Sequence, residues 1–402
     1  MPIPNGMPDG TPRVAPTLTP HGRAQRAGCH PAKSGRRGGG RRHGRHRHRL
    51  GAGPRRRLGH AGGARRPGRH ASGRNQGLLT APHPPPLRAI AAAGLAGYEE
   101  LHDRSGGAFF LDRSPHGCLL VGAGDLTGAA LAAEEPQLGP SVTAAALEPD
   151  ARRVDPGALA ATLAAEAIAA GVEVRTGAEV RELLWDGDRT RVRGVRTDTE
   201  AIPAGTVVVA GGPWSWRICR SGPFDVPVHG VRGWLVVTRP APFRLRHAIE
   251  DSDWDAAKAA LRPATVAELA GLDGCRPPGP AIAGLVQQDP AGRLLLGASL
   301  QVSPTDHPEG QAEAVAGVCR RAAELVPAVA GLAVVEVRTC RRPLSADGLP
   351  LHGPVPGVDG LVLATGHGSK GIAWGLGSGL AVSAGILDGA WVPELLPERF
   401  AR

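Results

Sequence analysis

The chain has 402 residues, with 47 Lys+Arg against 37 Asp+Glu and a formal net charge of +10 at pH 7. The charge is segregated: residues 1–70 hold 17 Lys+Arg and one acid, Asp9, a net +16, while the remainder, with 30 bases and 36 acids, is −6. Six scattered cysteines (Cys29, Cys118, Cys219, Cys275, Cys319 and Cys340) make no C-x-x-C pair, which argues against a metal site or a disulfide framework and for a reducing, cytoplasmic setting.

No apolar run approaches the ~18–20 residues of a membrane helix. The basic N-terminus lacks the apolar stretch of a secretory signal. Residues 35–69, GRRGGGRRHGRHRHRLGAGPRRRLGHAGGARRPGR, show no hydrophobic period. Such a composition suits a solvated, disordered tail. Its charge would serve phosphate contacts. Residues 1–70 contain no Phe, Tyr or Trp, however, so a nucleic-acid arm there would have no stacking platform.

From Ala71 onward the composition is that of an ordinary globular chain, long enough for two lobes at roughly 100–200 residues per domain. VDPGALAATLAAEAIAAG predicts a helix with Pro156 in its first turn. Leu159, Leu163, Ala167 and Ala170 share one face of it, and Gly171 closes its end. VEVRT, AEVRELLWD and VRGVRTD read as strands. AIPAGTVVVAGG ends in a buried run, Val207 to Ala210, suited to a parallel strand covered on both faces. PVHGVRGWLVVTRP and GRLLLGASLQ read as antiparallel strands, and DWDAAKAALRPATVAELAG as a helix interrupted by proline. Near the C-terminus, LVLAT is a buried strand, GHGSKG a glycine turn and IAWGLGSGLAVSAGIL a helix with small residues on one face. That succession points backbone N–H groups and the positive end of a helix dipole at an electron-rich ligand.

In family order, the stretches ASGRNQGLLT, VDPGAL…GVEVRTGAEV, GVRTD…VVVAGGPWS, GRLLLGAS and RRPLSADGLPLHGP…LVLATGHGSKG resemble the D-amino-acid oxidase, glycine oxidase and sarcosine oxidase family of FAD-dependent amine oxidoreductases. The resemblance spans about Ser72 to Gly389. It implies an α/β fold with a Rossmann-like FAD-binding lobe assembled from 71–82, 150–225 and 336–392. An antiparallel-sheet substrate lobe would come from 83–149 and 226–335. It also implies oxidation of a C–N bond in a small amino or imino acid, with O2 or a quinone or other carrier as electron acceptor.

The family opens with a strand, a G-x-G-x-x-G turn, a helix and a strand ending in an acid, which together hold the dinucleotide. Residues 1–70 do not read that way: Gly38-Gly39-Gly40 follows Arg36-Arg37 rather than a strand. Shifted forward by one base, the codons of residues 35 to 60 admit VVVVVGxGMVGIATALELAxAGxxVT. The discriminating positions, those from His, Leu50, Ala52, Leu58 and Ala61, fall on acceptable residues. The segment therefore reads either as out of frame in a GC-rich gene or as a basic tail. In both cases the chain could be a family remnant deficient in FAD.

The resemblance assigns roles residue by residue. Arg342 matches the arginine that faces the substrate carboxylate. Ser72, Gly73, Arg74, Asn75 and Gln76 would lie along the flavin ring and pyrophosphate. Val180 would meet the adenine through its backbone. Ala210, Gly211 and Trp214 would close the cofactor strand. Gly366, His367, Gly368, Ser369, Lys370 and Gly371 would lie under the pyrimidine edge, with Lys370 as a possible charge and His367 as a base on paper. Cys340, seven residues before Asp347, would be the covalent flavin attachment found in sarcosine-oxidase relatives, or a small buried residue.

Overall fold

The computed structural model describes residues 67–80, 83–253, 279–302 and 310–401, together with the backbone of two strands at 26–29 and 58–61. In chain order the first elements are β1 (Arg26–Cys29), β2 (Leu58–Ala61), α1 (Ala71–Arg74), β3 (Leu78–Leu79), α2 (Arg88–Arg104) and β4 (Cys118–Thr127). There follow α3 (Gly128–Glu134), β5 (Ala144–Glu148), β6 (Arg152–Arg153), α4 (Pro156–Ala169), β7 (Glu173–Arg175) and β8 (Val180–Trp185). Next come β9 (Val192–Thr197), β10 (Ala201–Pro203), β11 (Val207–Val209), α5 (Ser215–Cys219), β12 (Val228–Pro240) and β13 (Ala248–Asp251). The last are β14 (Ala281–Gln288), β15 (Arg293–Val302), α6 (Gln311–Leu325), β16 (Val334–Ser345), β17 (Leu351–Pro354), β18 (Leu361–Thr365) and α7 (Gly371–Asp388). Most of the proline-interrupted helix expected over 253–271 lies outside the described residues.

Two large sheets organise this α/β chain, the first mixed and the second mainly antiparallel. The first has the order β17-β18-β11-β1-β2-β7. In it β11 and β18 are parallel neighbours, Val207 opposite Leu361 and Val209 opposite Leu363. All three β11 residues are buried, because a strand covered on both faces cannot alternate polar with apolar. The second sheet has the order β16-β12-β15-β14-β13-β4-β5 and is antiparallel except where β13 meets β4. One face of it packs on α6 through Leu119, Val236, Ile249, Leu296, Val318 and Leu325.

Helix α4 starts where Asp155 accepts from the backbone N–H groups of Gly157 and Ala158, 2.9 and 3.0 Å away, with Pro156 in the first turn. Helices α2 and α7 lie close together. Gly94 of α2 faces Ala373 and Gly377 of α7 with no room for larger side chains. Tyr98 Oη donates to the Ile372 carbonyl, 2.8 Å away. By length and composition α7, 18 residues with mean hydropathy 1.2, does reach what a membrane crossing needs. Its interspersed Gly, Ser and Ala hide that from a residue-by-residue reading. Ala373, Trp374, Gly377 and Val382 are buried against protein.

Two segments cross the lobe division drawn from sequence. Strand β16 falls mostly in 336–392 but is the edge strand of the second sheet, paired along its length with β12. Helix α2 falls in 83–149 but packs on α7. Strands β1 and β2 pair antiparallel with each other, and β1 pairs antiparallel with β11. The strands of a βαβ unit run parallel, so these two do not form one. The Gly38–Gly40 run lies outside the described residues.

Candidate active site

The carboxyl ends of the parallel pair β11 and β18 lie side by side, and each ends in a glycine turn. After β11 come Ala210, Gly211 and Gly212, the last with φ +54°. After β18 comes Gly366, with φ +85°, then His367 and Gly368, with φ +55°. The turns are stapled together: Ser215 Oγ donates to Thr365 Oγ1 at 3.0 Å, and Thr365 Oγ1 donates to the Gly212 carbonyl at 3.1 Å. Ligands of open α/β sheets bind at such carboxyl ends.

The strand carrying Arg342 is locked to the second turn. The Gly368 N–H donates to the Pro343 carbonyl at 2.7 Å, and Leu344 pairs with His367. Register separates the two adjacent arginines. Arg341 lies over Gly230, whereas Arg342 lies over Gly233, on the other face of the strand pair. Arg342 Nη1 reaches the Ser299 carbonyl on β15, 3.0 Å away. Cys340 is opposite Gly233 on the Arg342 face and is a free thiol.

Residues 72–76 enter from a third direction. Arg74 Nε donates to the Thr339 carbonyl of β16 at 3.2 Å, and the His70 ring meets Trp214 edge-on at 5.0 Å. Asn75 folds its own loop: it donates to the carbonyls of Ala71 and Ser72, and its Oδ1 accepts from the Gly77 N–H at 2.7 Å. Gln76 crosses to the second sheet, where Gln287 Nε2 donates to its carbonyl at 2.7 Å. Ser72 is exposed and Gly73 packs on Gly68. The structure thus brings together 72–76, 210–214, 342 and 366–371. The Val180 side chain packs in the core with Leu183 and Val192.

At the start of α7 sits a polar cluster of which sequence reading named only Lys370. The Lys370 ammonium donates to Thr80 Oγ1, and Trp374 Nε1 donates to His83 Nδ1 at 3.2 Å. An indole only donates, so neutral His83 carries its proton on Nε2. Burial, and then the Lys370 charge, lower the His83 pKa. Dense packing pushes His367 down to about 4, although the residue still meets solvent. His352 and Ser378, also missed, touch His367 from behind. None of these contacts is local: they join residues up to 291 positions apart, and no spacing could reveal them.

The family model described as "DAO: FAD dependent oxidoreductase" matches residues 63–384. The chain belongs to that family. A glycine oxidase of Pseudomonas aeruginosa is 30% identical over 209 residues, covering 50% of this chain and 47% of the relative. A D-amino acid dehydrogenase of Paramagnetospirillum magneticum is 30% identical over 241 residues, covering 58% and 48%. The chain therefore spans about half the length of the curated relatives it matches. The crystal structure of glycine oxidase from Geobacillus kaustophilus superposes with TM-score 0.63 at 24% identity, over 78% of this chain and 84% of that one. At that identity the likeness speaks for the fold.

FAD is the cofactor of this family, and the residues fit its ring end by the chemistry of their donors. The flavin pyrimidine edge accepts hydrogen bonds. Facing it, a DAO-family turn of this form would offer the Gly371 and Ile372 N–H groups at the start of α7, ahead of Ala373, whose N–H donates to the Lys370 carbonyl, and the Lys370 ammonium. The buried Trp214 Nε1 adds an indole donor that has no partner among the described residues. At the pyrophosphate end the family uses an N-terminal strand, G-x-G-x-x-G turn and helix, and most of the positions before Ser72 lie outside the described residues.

Proposed function

We propose that this chain oxidises the C–N bond of a small amino or imino acid, with FAD as its cofactor. The observation that carries the reading is the 2.7 Å bond from Gly368 to Pro343, which sets the turn at the start of α7 beside the strand bearing Arg342. In this reading Arg342 takes the substrate carboxylate with its planar fork. The 366–371 turn, Lys370 and Trp214 hold the ring end of FAD, with 72–76 along its length and the backbone of Val180 at the adenine. When bound, FAD supplies the hydride acceptor. The positive end of α7 and Lys370 stabilise negative charge at the pyrimidine edge. The proposed electron acceptor is O2 or a carrier. Cys340, on the Arg342 face, is the candidate attachment point for the flavin.

The test is to purify the full chain, remove small molecules, record the visible flavin band, and assay amino and imino acids for peroxide release and for dye reduction. Flavin that stays in the protein pellet on acid precipitation would mark the Cys340 linkage. Retained flavin with no turnover of any amino or imino acid would sink the substrate class. A second reading, a family member that holds FAD poorly, is favoured by the antiparallel pairing of β1 and β2. Loss of the flavin band on desalting would support it.

A further inference from the structure

Behind the glycine turn lie two polar side chains that the proposed chemistry does not use, His352 and Ser378, and both contact His367 of the turn. His352 stands on β17 and is 2% exposed. Its Nε2 is 3.2 Å from Nε2 of His367, with the ring centroids 5.1 Å apart. Ser378, on α7, sets its Oγ 3.0 Å from the same His367 nitrogen. His352 Nδ1 is buried and has no hydrogen-bond partner among the described residues.

The protons can be placed by elimination. Burial lowers both rings, His367 to about 4 and His352 well below its ordinary value, where His367 and Arg399 add to the effect. Each ring is therefore neutral at neutral pH and carries one N–H. Two nitrogens 3.2 Å apart need one donor and one acceptor. A proton on His352 Nδ1 would bury an unpaired N–H, a rarer and costlier fault than an unpaired lone pair. The His352 proton therefore sits on Nε2 and points at His367. His367 Nε2 accepts it, with Ser378 alongside, and the His367 proton sits on Nδ1. That edge of the ring is not sealed from solvent and has no protein partner among the described residues.

We propose that His352 is a positioning residue that fixes His367 as an Nδ1–H hydrogen-bond donor on the open side of the Gly366–Gly371 turn. The proposal rests on the reading that this turn faces FAD, and deepens it. His367 then donates to an electron-rich atom of the cofactor or substrate. It does not act as the base that removes a substrate proton.

The experiment labels the histidines of the full chain and reads ring tautomers from long-range proton–nitrogen correlation spectra at neutral pH. His367→Gln identifies the His367 signals. In the unsubstituted chain His367 is expected with Nδ1 protonated and Nε2 bare. His352→Leu removes the donor, and an Nε2-protonated population should appear. His352→Gln, whose amide can still donate from the Nε2 position, should restore the original pattern. An Nε2-protonated His367 in the unsubstituted chain overturns the proposal, as does an unchanged tautomer in a folded His352→Leu. If His352→Leu does not fold, His352→Gln and Ser378→Ala decide: both should keep Nδ1–H, and a switch in either overturns it. Flavin retention is read on the same samples. Its loss from every sample, with the tautomers as expected, overturns the cofactor reading and leaves the proton placement standing.

Discussion

Arg342 extends across β12, over Gly233, to the Ser299 carbonyl. A guanidinium has five N–H donors, so one bond to a carbonyl leaves a fork free for a carboxylate. Arg342→Ala should raise KM by about 2–5 kcal/mol of lost charged pairing, and steady-state kinetics on an amino-acid substrate would measure it. An unchanged KM removes Arg342 from the site. Gly233→Val should act in the same direction, because any side chain at Gly233 meets the guanidinium. The histidines set a pH dependence. His116 is lowered to about 4, mainly by burial and then by Arg153; His367 is lowered to about 4, and His352 is also lowered. Above about 6.5 the rings are neutral in folded and unfolded chain alike. Below it, the unfolded rings take up protons that the buried ones refuse. Stability should therefore fall as pH drops from about 6.5 toward about 4. Urea midpoints across that range would measure the loss, and His352→Leu should flatten the slope. Arg342 and the glycine turn were legible because each sits in a contiguous motif. His352, Ser378, Thr80 and His83 were not, because strands and helices distant in sequence bring them to the site.

Helix α7 carries two duties, presenting its N-terminus to the turn and packing on α2. Its small-residue face, visible in the sequence, exists because a Cβ at Gly377 would overlap the Ile90 carbonyl. Gly377→Ala should destabilise by about 1–3 kcal/mol through overpacking, read from the urea midpoint, and should weaken flavin retention by shifting the helix. Asp155→Ala should cost about 1 kcal/mol by uncapping α4 with no effect on KM. The buried runs at 207–210 and 361–365 declared their strands because a two-sided parallel strand leaves no polar position. Strand β16 was harder to assign. Its partner β12 lies roughly a hundred residues earlier in the chain, and pairing register, not composition, decides which sheet a strand joins.

The basic segment and the rest of the chain carry opposite charge, +16 against −6. Arginine charge attracts phosphate, whereas the family's strand, glycine turn and helix supply aligned N–H donors as well. On the second reading above, the chain as written should lose FAD on desalting and express poorly. Helix α7 leaves Leu380, Ile386 and Leu387 exposed, at 52%, 37% and 71%, an apolar stripe of the kind that promotes association. A version in which the shifted-frame reading replaces residues 35 to 60 should retain flavin through the same column. Stoichiometric, retained flavin in the chain as written would refute the FAD-deficient reading.

The parallel pairing of β11 with β18 also has a consequence for synthesis. Strand β11 is made some 150 residues before its partner, Val207 against Leu361. Chains fold from the N-terminus as they emerge from the ribosome. During translation β11 must therefore wait with one edge open until the strand, the glycine turn and α7 have followed. The second sheet can close before then, because its last strand, β16, ends at Ser345, ahead of β18. A nascent chain from which β16 has emerged and β18 has not would show the second sheet without the glycine turn and α7 that the proposed cofactor site needs.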